Sequence, residues 1–245
     1  MSDIYKTAGA LLDIAPRKLS VIAVIGCGGK STFIETLAHE CSGKKVLITP
    51  TTKMWPIRRE GVLLRSTPQE CFSHKALKGI QCLGMLNETS GKLEALPSEQ
   101  LENMVSQYDI VLLEADGSRG LPCKSWLPGE PVIPHYSTHT VGIVTMDALG
   151  KPSGSDTVLR LPEFPALTGL QEGDTITAAA LTSMVCAQNG MFRNGRGRQS
   201  IFVNKVESDT AIAKEYLLNI RQTFPGRFAC LAYGSALTNK WQELR

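Results

Sequence analysis

A glycine-rich segment that runs into lysine and serine is the part of the sequence that most directly indicates chemistry. It follows an apolar run at residues 21–25, and it consists of Gly26, Cys27, Gly28, Gly29, Lys30, Ser31 and Thr32. Glycines let backbone N–H groups point inward, and the N-terminus of a following helix adds positive potential, so such a loop cradles phosphate oxygens. We expect Lys30 to reach the β- and γ-phosphates of a nucleotide and the Ser31 hydroxyl to bind Mg²⁺.

One position departs from the full GxxxxGK[ST] pattern of phosphate loops. The first glycine of that pattern falls on Val24, inside the apolar run. The loop is therefore of the shorter GxGGKS type, which resembles the loop of Mur ligases. A tight strand-to-helix turn without a ligand is the alternative. The strand before the loop, the helical pattern after it and the partner residues described below favour the phosphate site.

Two acids follow a second apolar run, at residues 109–115. Glu114 and Asp116 stand at its end, where ligands of open α/β sheets bind. Burying an acid there without a cation is unfavourable. We therefore predict both acids as Mg²⁺ ligands beside Ser31, with Glu114 as the first choice and Asp116 also as a catalytic candidate. The alternative is an acid that forms a salt bridge, with Lys30 as the partner.

Further candidates follow an apolar run at residues 45–49 and the segment after Asp116. The strand predicted at 45–49 is followed by Thr51, Thr52 and Lys53. We predict Thr51 as a metal ligand, and Thr52 and Lys53 as catalytic residues that act on the γ-phosphate together with Lys30. A solvated turn is the alternative, since threonine is common in turns. Arg119 lies in a Gly-Ser-Arg-Gly turn and adds a cation that can meet phosphate.

A possible base-recognition element lies near the C-terminus. Asn204, Lys205 and Glu207 follow the strand predicted at 201–203, and they resemble the NKxD element of GTPases. In that element a carboxylate accepts from the guanine N–H groups and the lysine stem packs on the ring. Here Glu207 replaces aspartate, which changes the reach, so ATP and GTP both stay open as ligands.

The remaining pattern predicts an α/β fold, with a mostly parallel sheet and helices on both faces, similar to P-loop NTPases. A short helix is predicted at 3–14, ended by Pro16, and a β-hairpin insertion from 80–86 and 93–96. A further helix is predicted at 98–107, with Ser98 as its N-cap. We predict a single domain over 1–245 with insertions around 57–96 and 118–138.

Composition narrows the class of protein. Of the 245 residues, 42% are hydrophobic and 20% charged, and the net charge is only +3, which gives no reason to expect nucleic-acid binding. The seven cysteines form no CxxC pair, which favours free thiols in a reducing cytosol over disulfides or a zinc site. No signal pattern and no long apolar run is present, so we expect a cytoplasmic protein without a membrane segment.

Taken together, these motifs resemble the YqeC-type family, the accessory proteins of selenium-dependent molybdenum hydroxylases. The resemblance rests on Val24-Ile25-Gly26-Cys27-Gly28-Gly29-Lys30-Ser31-Thr32, Thr49-Pro50-Thr51-Thr52-Lys53-Met54, Leu113-Glu114-Ala115-Asp116-Gly117-Ser118 and Val144-Thr145-Met146-Asp147-Ala148-Leu149-Gly150-Lys151-Pro152. It implies a role in maturing a molybdenum–selenium cofactor or its enzyme, with a hydroxylase or another maturation protein as partner. No residue by itself indicates selenium or molybdenum chemistry.

Three functions stay open at the level of sequence. The first is an Mg²⁺-dependent NTPase that acts as an accessory factor, resembling the metallochaperone GTPases, in which hydrolysis drives a conformational cycle. The second is a small-molecule kinase or Mur-like ligase, with an acceptor pocket formed by the proline-rich loop at 122–134 together with Trp126 and Lys124. The third is a nucleotide-responsive binding module without catalytic activity.

Overall fold

The computed structural model describes residues 2–14, 18–73 and 75–244. The strands in these ranges are β1 (Ser2–Tyr5), β2 (Ser20–Gly26), β3 (Lys45–Pro50), β4 (Lys53–Met54), β5 (Val62–Arg65), β6 (Gly79–Leu83), β7 (Met85–Asn87), β8 (Lys92–Glu94), β9 (Ile110–Glu114), β10 (Cys123–Lys124), β11 (His139–Thr145), β12 (Val158–Leu159), β13 (Arg198–Asn204), β14 (Cys230–Ser235) and β15 (Lys240–Leu244). The α-helices are α1 (Ala8–Leu11), α2 (Lys30–Glu40), α3 (Pro68–Phe72), α4 (Ser98–Val105), α5 (Phe164–Thr168), α6 (Ala178–Cys186) and α7 (Ala211–Thr223).

Within the described ranges, one large sheet holds ten strands in the order β1-β15-β14-β13-β11-β2-β9-β3-β6-β5. Every neighbouring pair from β14 to β5 is parallel, and β15 alone runs antiparallel to both of its neighbours. The prediction of an α/β fold with a mostly parallel sheet is confirmed. Strand β2, which leads into the glycine-rich loop, lies between β11 and β9 near the middle of the sheet.

Strands β2 and β9 are mostly apolar because both of their faces are covered. On one face, Ile22 and Val24 of β2 pack with Phe33 and Leu37 of α2. On the other face, alternate residues of the same strand pack in two clusters that include side chains of α6, α7 and α4. Alternation along a strand sends successive side chains to opposite faces, so a strand between two helical layers reads as a continuous apolar run.

The N-terminal region differs from its prediction. A helix was expected at 3–14, but residues 2–5 form β1, which pairs with β15, and the helix spans only Ala8–Leu11. Pro16, the predicted helix end, lies outside the described residues. The prediction was wrong because the partner of β1 is supplied by the opposite end of the chain, which no local pattern reveals.

The predicted hairpin is present but shorter. Its arms are β7 and β8, and β4 adds a third strand to this small sheet. The expected first arm was too long, because Gly79–Leu83 pairs with β3 and β5 in the large sheet as β6. Helix α4 begins at Ser98, so its N-cap is Pro97 and the predicted cap at Ser98 was one residue late.

Candidate phosphate-binding site

The loop at residues 26–29 joins the buried end of β2 to the first turn of α2. Gly28 and Gly29 have φ values of +102° and +106°, a region that side chains rarely adopt. A Cβ at Gly28 would lie 2.7 Å from the Thr145 Cβ, and one at Gly29 would lie 2.7 Å from Asn204 Nδ2. Conformation and crowding therefore both require glycine, and the loop turns its backbone toward the N-terminus of α2.

Lys30 opens α2 and lies buried beside the loop. Its Nζ donates to the Gly26 carbonyl at 2.8 Å and to Ser118 Oγ at 3.3 Å, and it lies 3.3 Å from Asp116 Oδ1. Burial by itself would lower the pKa of Lys30, but the carboxylates of Asp116 and Glu114 raise it above its ordinary value. The side chain is thus an ammonium group at the mouth of the loop.

Asp116 lies beneath the loop and connects it to Lys30, Lys124 and Trp126. Its carboxylate accepts from the Gly26 N–H at 3.1 Å, from Trp126 Nε1 at 2.9 Å and from Lys124 Nζ at 3.3 Å, in addition to its ion pair with Lys30. Burial by itself would raise the pKa of Asp116, but the two ammonium groups and the indole N–H hold it below its ordinary value. The side chain is fully enclosed, so direct metal coordination by Asp116 does not agree with this geometry. The salt bridge to Lys30, the alternative given above, is what the structure contains.

Glu114 and Ser31 form a second polar pair beside Lys30. Ser31 Oγ donates to Glu114 Oε2 at 2.9 Å, and burial raises the pKa of Glu114 against the opposing effect of the Lys30 ammonium. A hydroxyl and a carboxylate are the oxygen ligands that Mg²⁺ prefers. In the described ranges, no group of three or more His, Cys, Asp or Glu residues is placed to hold a metal. An ion at this pair would therefore take its other ligands from water and phosphate, as Mg²⁺ commonly does.

An open cavity of about 490 Å³ lies in front of these residues. Its lining comes from the loop, the end of β9 and the small sheet: Gly29, Lys30, Ser31, Lys53, Met54, Trp55, Lys92, Glu114, Gly117, Ser118, Arg119 and Gly120. Lys53 is one of the residues predicted from sequence, and it forms an ion pair with Glu94 at 2.7 Å. The cavity thus joins a predicted phosphate loop to cations from distant segments.

The two predicted threonines do not line this cavity. Thr51 Oγ1 donates to the Val132 carbonyl at 2.6 Å, which ties β3 to the proline-rich loop. Thr52 Oγ1 is buried and has no hydrogen-bond partner among the described residues. Neither hydroxyl therefore lies with Ser31 and Glu114 in the lining of the cavity.

The NKxE segment contacts the loop from the other side of β2. Asn204 Nδ2 donates to the Gly28 carbonyl at 2.8 Å, and its Oδ1 accepts from the Ala236 N–H at 2.9 Å. Lys205 Nζ donates to Asp147 Oδ2 at 2.5 Å, and Glu207 Oε1 accepts from Ser235 Oγ at 3.3 Å. Asn204 is thus a brace for the loop, while Lys205 and Glu207 lie at the surface beside it.

Two residues of the predicted loop point away from the cavity. Cys27 is fully buried, its N–H donates to the Ile143 carbonyl at 2.9 Å, and burial raises the pKa of its thiol to about 12. The thiol therefore packs in the core. Thr32 lines a separate cavity on the outer side of α2, together with Thr36 and His39. A ligand at the loop would contact the backbone of these two residues rather than their side chains.

Sequence reasoning misjudged or missed several residues of the site. Lys124 and Trp126, expected in an acceptor pocket, are buried beneath Asp116, so that pocket was wrong. Trp55 and Lys92 line the cavity without any local signal, since they come from the small sheet and approach only in three dimensions.

Fold and site together define an α/β protein with a large, mostly parallel sheet and a polar cavity at the carboxyl ends of β2 and β9. The model of the family described as "YqeC protein" matches residues 22–162, which is more than half of the chain and includes the loop, Glu114 and Asp116. The chain belongs to the YqeC family.

One relative extends this match over most of the chain. The chain is 30% identical over 228 residues to "Uncharacterized protein YqeC" of Escherichia coli (strain K12), with 89% of each chain covered. That alignment is long enough to include the C-terminal region, beyond the range that the family model matches. None of the helices in the described part of the chain has the length and apolar character that a membrane crossing requires.

Proposed function

We propose that this protein binds a nucleoside triphosphate with Mg²⁺ at the loop of residues 26–31 and hydrolyses it or transfers its γ-phosphoryl group. The observation that carries the proposal is the placement, in one cavity, of the Lys30 ammonium, the N-terminus of α2 and the Ser31–Glu114 pair. A phosphate cradle, a cation and an oxygen-ligand pair are the parts that phosphoryl transfer requires.

Each of these residues has a physical role in the proposal. Lys30 exchanges its bond to the Gly26 carbonyl for phosphate oxygens, and Lys124 keeps the charge of Asp116 compensated while it does so. Ser31 and Glu114 hold the metal, which when bound neutralises phosphate charge. Lys53 and Arg119 line the same cavity, where they stabilise charge that develops on the γ-phosphate.

The base would lie on the side of Asn204, Lys205 and Glu207. Asn204 donates a hydrogen bond to the Gly28 carbonyl of the loop, so a base beside Asn204 would lie next to phosphates bound at the loop. Lys205 would release Asp147 and pack its stem on the ring, and Glu207 would accept from the N–H groups of a guanine. We keep both ATP and GTP as candidates, because Glu207 is one methylene longer than aspartate.

The biological role rests on the resemblance given above. We propose that the nucleotide cycle serves an accessory function in the maturation of a selenium-dependent molybdenum hydroxylase, with that enzyme or another maturation protein as the partner. The cavity residues support nucleotide chemistry only, and the partner is inferred from the family.

Replacing Lys30 with alanine tests the central proposal. A nucleotide present at 100 times its dissociation constant stabilises a folded protein by about 2.7 kcal/mol. We expect Mg²⁺–ATP or Mg²⁺–GTP to raise the melting temperature of the wild type but not of Lys30→Ala, measured by differential scanning fluorimetry. Lys78→Ala, at an exposed lysine away from the cavity, should behave as the wild type. Equal nucleotide shifts in Lys30→Ala and the wild type would contradict the proposal.

The metal is tested separately with Glu114→Gln. Glutamine keeps the hydrogen bond from Ser31 but is a far weaker ligand for Mg²⁺ than a carboxylate. We expect nucleotide binding by the variant to lose most of its dependence on Mg²⁺ when the nucleotide is titrated with and without the metal. Glu94→Gln is the matched control, because Glu94 pairs with Lys53 outside the proposed metal position. An undiminished Mg²⁺ dependence in Glu114→Gln would exclude Glu114 as a ligand.

A further inference from the structure

The cavity in front of Lys30 opens away from the segment proposed to meet the base. Asn204 ends β13, which lies on the β11 side of the loop strand β2, whereas Lys53 follows β3, on the β9 side of β2. A triphosphate that runs from Asn204 across the loop would therefore point its γ-phosphate into the cavity. The far part of the cavity, around Trp55, lies beyond that phosphate.

Trp55 offers a large aromatic surface at this far end. It is 61% exposed, which is unusual for the largest apolar side chain. Two residues of the hairpin approach the ring: Lys92 Nζ lies 5.1 Å from the ring centroid, and a Cβ at Gly91 would lie 3.4 Å from Trp55 Cζ3. An exposed indole ring that lines a cavity is suited to stacking on a planar ligand.

Three cationic side chains line the same cavity as Trp55. Lys53, Lys92 and Arg119 all line the cavity, and Glu94 compensates only Lys53. Arg119 is exposed at the rim, where its guanidinium can bind an anion in bidentate fashion.

We propose that this part of the cavity binds a second ligand, a planar aromatic anion, beside the nucleotide. Its ring stacks on Trp55, and its phosphate or carboxylate lies between Lys92 and Arg119. The position of this ligand next to the γ-phosphate rests on the proposed function, but the site itself is formed by residues outside the phosphate loop. A γ-phosphate that faces a second ligand favours the kinase or ligase version of that function.

A titration with three probes tests the proposed ligand class. We would titrate 1-naphthyl phosphate, inorganic phosphate and 1-naphthol by isothermal calorimetry into the protein, with and without Mg²⁺ and a non-hydrolysable nucleotide. We expect 1-naphthyl phosphate to bind in both conditions, at least roughly tenfold more tightly than either half of the molecule, because only it engages both the ring and the cations.

Two variants distinguish stacking from general charge attraction. Loss of one stacking contact weakens binding by roughly 5- to 150-fold, which is the expected effect of Trp55→Ala on 1-naphthyl phosphate. Leu86→Ala should leave the affinity for 1-naphthyl phosphate unchanged, since Leu86 is a partly exposed apolar residue of β7 in the small sheet and does not line the cavity. The wild type, Trp55→Ala and Leu86→Ala should all bind the nucleotide with the same affinity.

Three results would overturn the proposal: no saturable binding of 1-naphthyl phosphate, competition between it and the nucleotide, or weaker nucleotide binding by Trp55→Ala. The last two would identify Trp55 as a surface for the nucleotide base. A failure of the proposed function would give a different result: the wild type would not bind nucleotide. The titration without nucleotide would still decide whether the aromatic site exists.

Discussion

At the scale of single residues, the buried charge of Asp116 organises the site. Its carboxylate connects the loop backbone at Gly26, the two ammonium groups of Lys30 and Lys124, and the indole N–H of Trp126. Two cations share one anion, so either cation can move while the acid stays compensated. This arrangement would let Lys30 turn toward a phosphate without leaving an unpaired charge in the core.

Replacing Asp116 with asparagine should therefore destabilise the fold strongly. The change keeps the shape of the side chain but leaves two buried ammonium groups without their anion. Removal of one partner of a buried ion pair costs about 3–5 kcal/mol. We expect a loss of this size in the free energy of unfolding, measured by urea denaturation, with a small effect for Asp156→Asn at an exposed position. A loss below about 1 kcal/mol would contradict the role given to this carboxylate.

The same acid also makes stability depend on pH. Because its folded-state pKa lies below the ordinary value of 3.8, its contribution is complete above that pH and is lost as the pH falls through the lower folded value. The wild type should therefore lose more stability than Asp116→Asn when the pH is lowered below about 4. Parallel acid profiles for the two proteins would show that the acid does not carry this dependence.

At the scale of elements, the strand–loop–helix unit of β2 and α2 forms the core of the candidate site. Its loop must turn within a few residues and pass close to β11 and β13, since Gly28 faces Thr145 and Gly29 faces Asn204. The sequence meets both demands with glycine. The loop therefore packs closely against Thr145 and Asn204, and these contacts restrict its conformation.

Gly28→Ala should damage the loop while a nearby glycine tolerates the same change. A residue other than glycine in such a conformation costs about 1–3 kcal/mol, and here the new Cβ would also meet Thr145. We expect Gly28→Ala to lose both unfolding free energy and most nucleotide affinity. Gly117 lines the same cavity, but it has no positive φ, and a Cβ added there would have no neighbour within 4 Å. Gly117→Ala should therefore change the unfolding free energy by less than about 0.5 kcal/mol and the nucleotide affinity by less than a factor of about three. Equal behaviour of the two variants would contradict the tight loop geometry.

At the scale of the whole molecule, the two ends of the chain meet at one edge of the sheet. Strand β15 pairs with β1 and β14, and its Trp241 is fully buried on the α2 face. The ring centroid of Trp241 lies 5.8 Å from that of Phe33 in α2 and 5.1 Å from that of Phe202 in β13. The C-terminal strand therefore packs against helix α2, which follows the glycine-rich loop.

Trp241→Ala should be one of the most damaging single changes in the chain. Truncation of a buried tryptophan costs about 3–5 kcal/mol because it removes apolar burial and leaves a cavity. Trp55→Ala is a matched control with the same chemical change at a largely exposed ring, and it should alter the unfolding free energy by less than about 0.5 kcal/mol. Chemical denaturation of the two variants gives the comparison. A similar loss in both would contradict the structural role of the C-terminal strand.

The central strands, helix α2 and the glycine loop could be predicted from the amino-acid sequence alone. These elements have strong local signals: parallel strands covered on both faces are continuous apolar runs, and a tight strand-to-helix turn requires glycine. The sequence also indicated that Lys30, Ser31 and Glu114 belong to one site, because the carboxyl ends of parallel strands meet at the same edge of a sheet. Thus β2, α2 and β9 lie where their patterns predicted.

The directions of the side chains at that edge could not be predicted, because they depend on contacts between distant segments. Strand β9 ends at Glu114, so alternation no longer governs Asp116, which turns under the loop toward Lys124 while Glu114 faces Ser31. The pairing of β1 with β15 and the approach of Trp55 to the cavity likewise depend on partners far away in the chain. Local propensity carries no information about such partners, because the free energy that selects them comes from packing and charge pairing between distant segments.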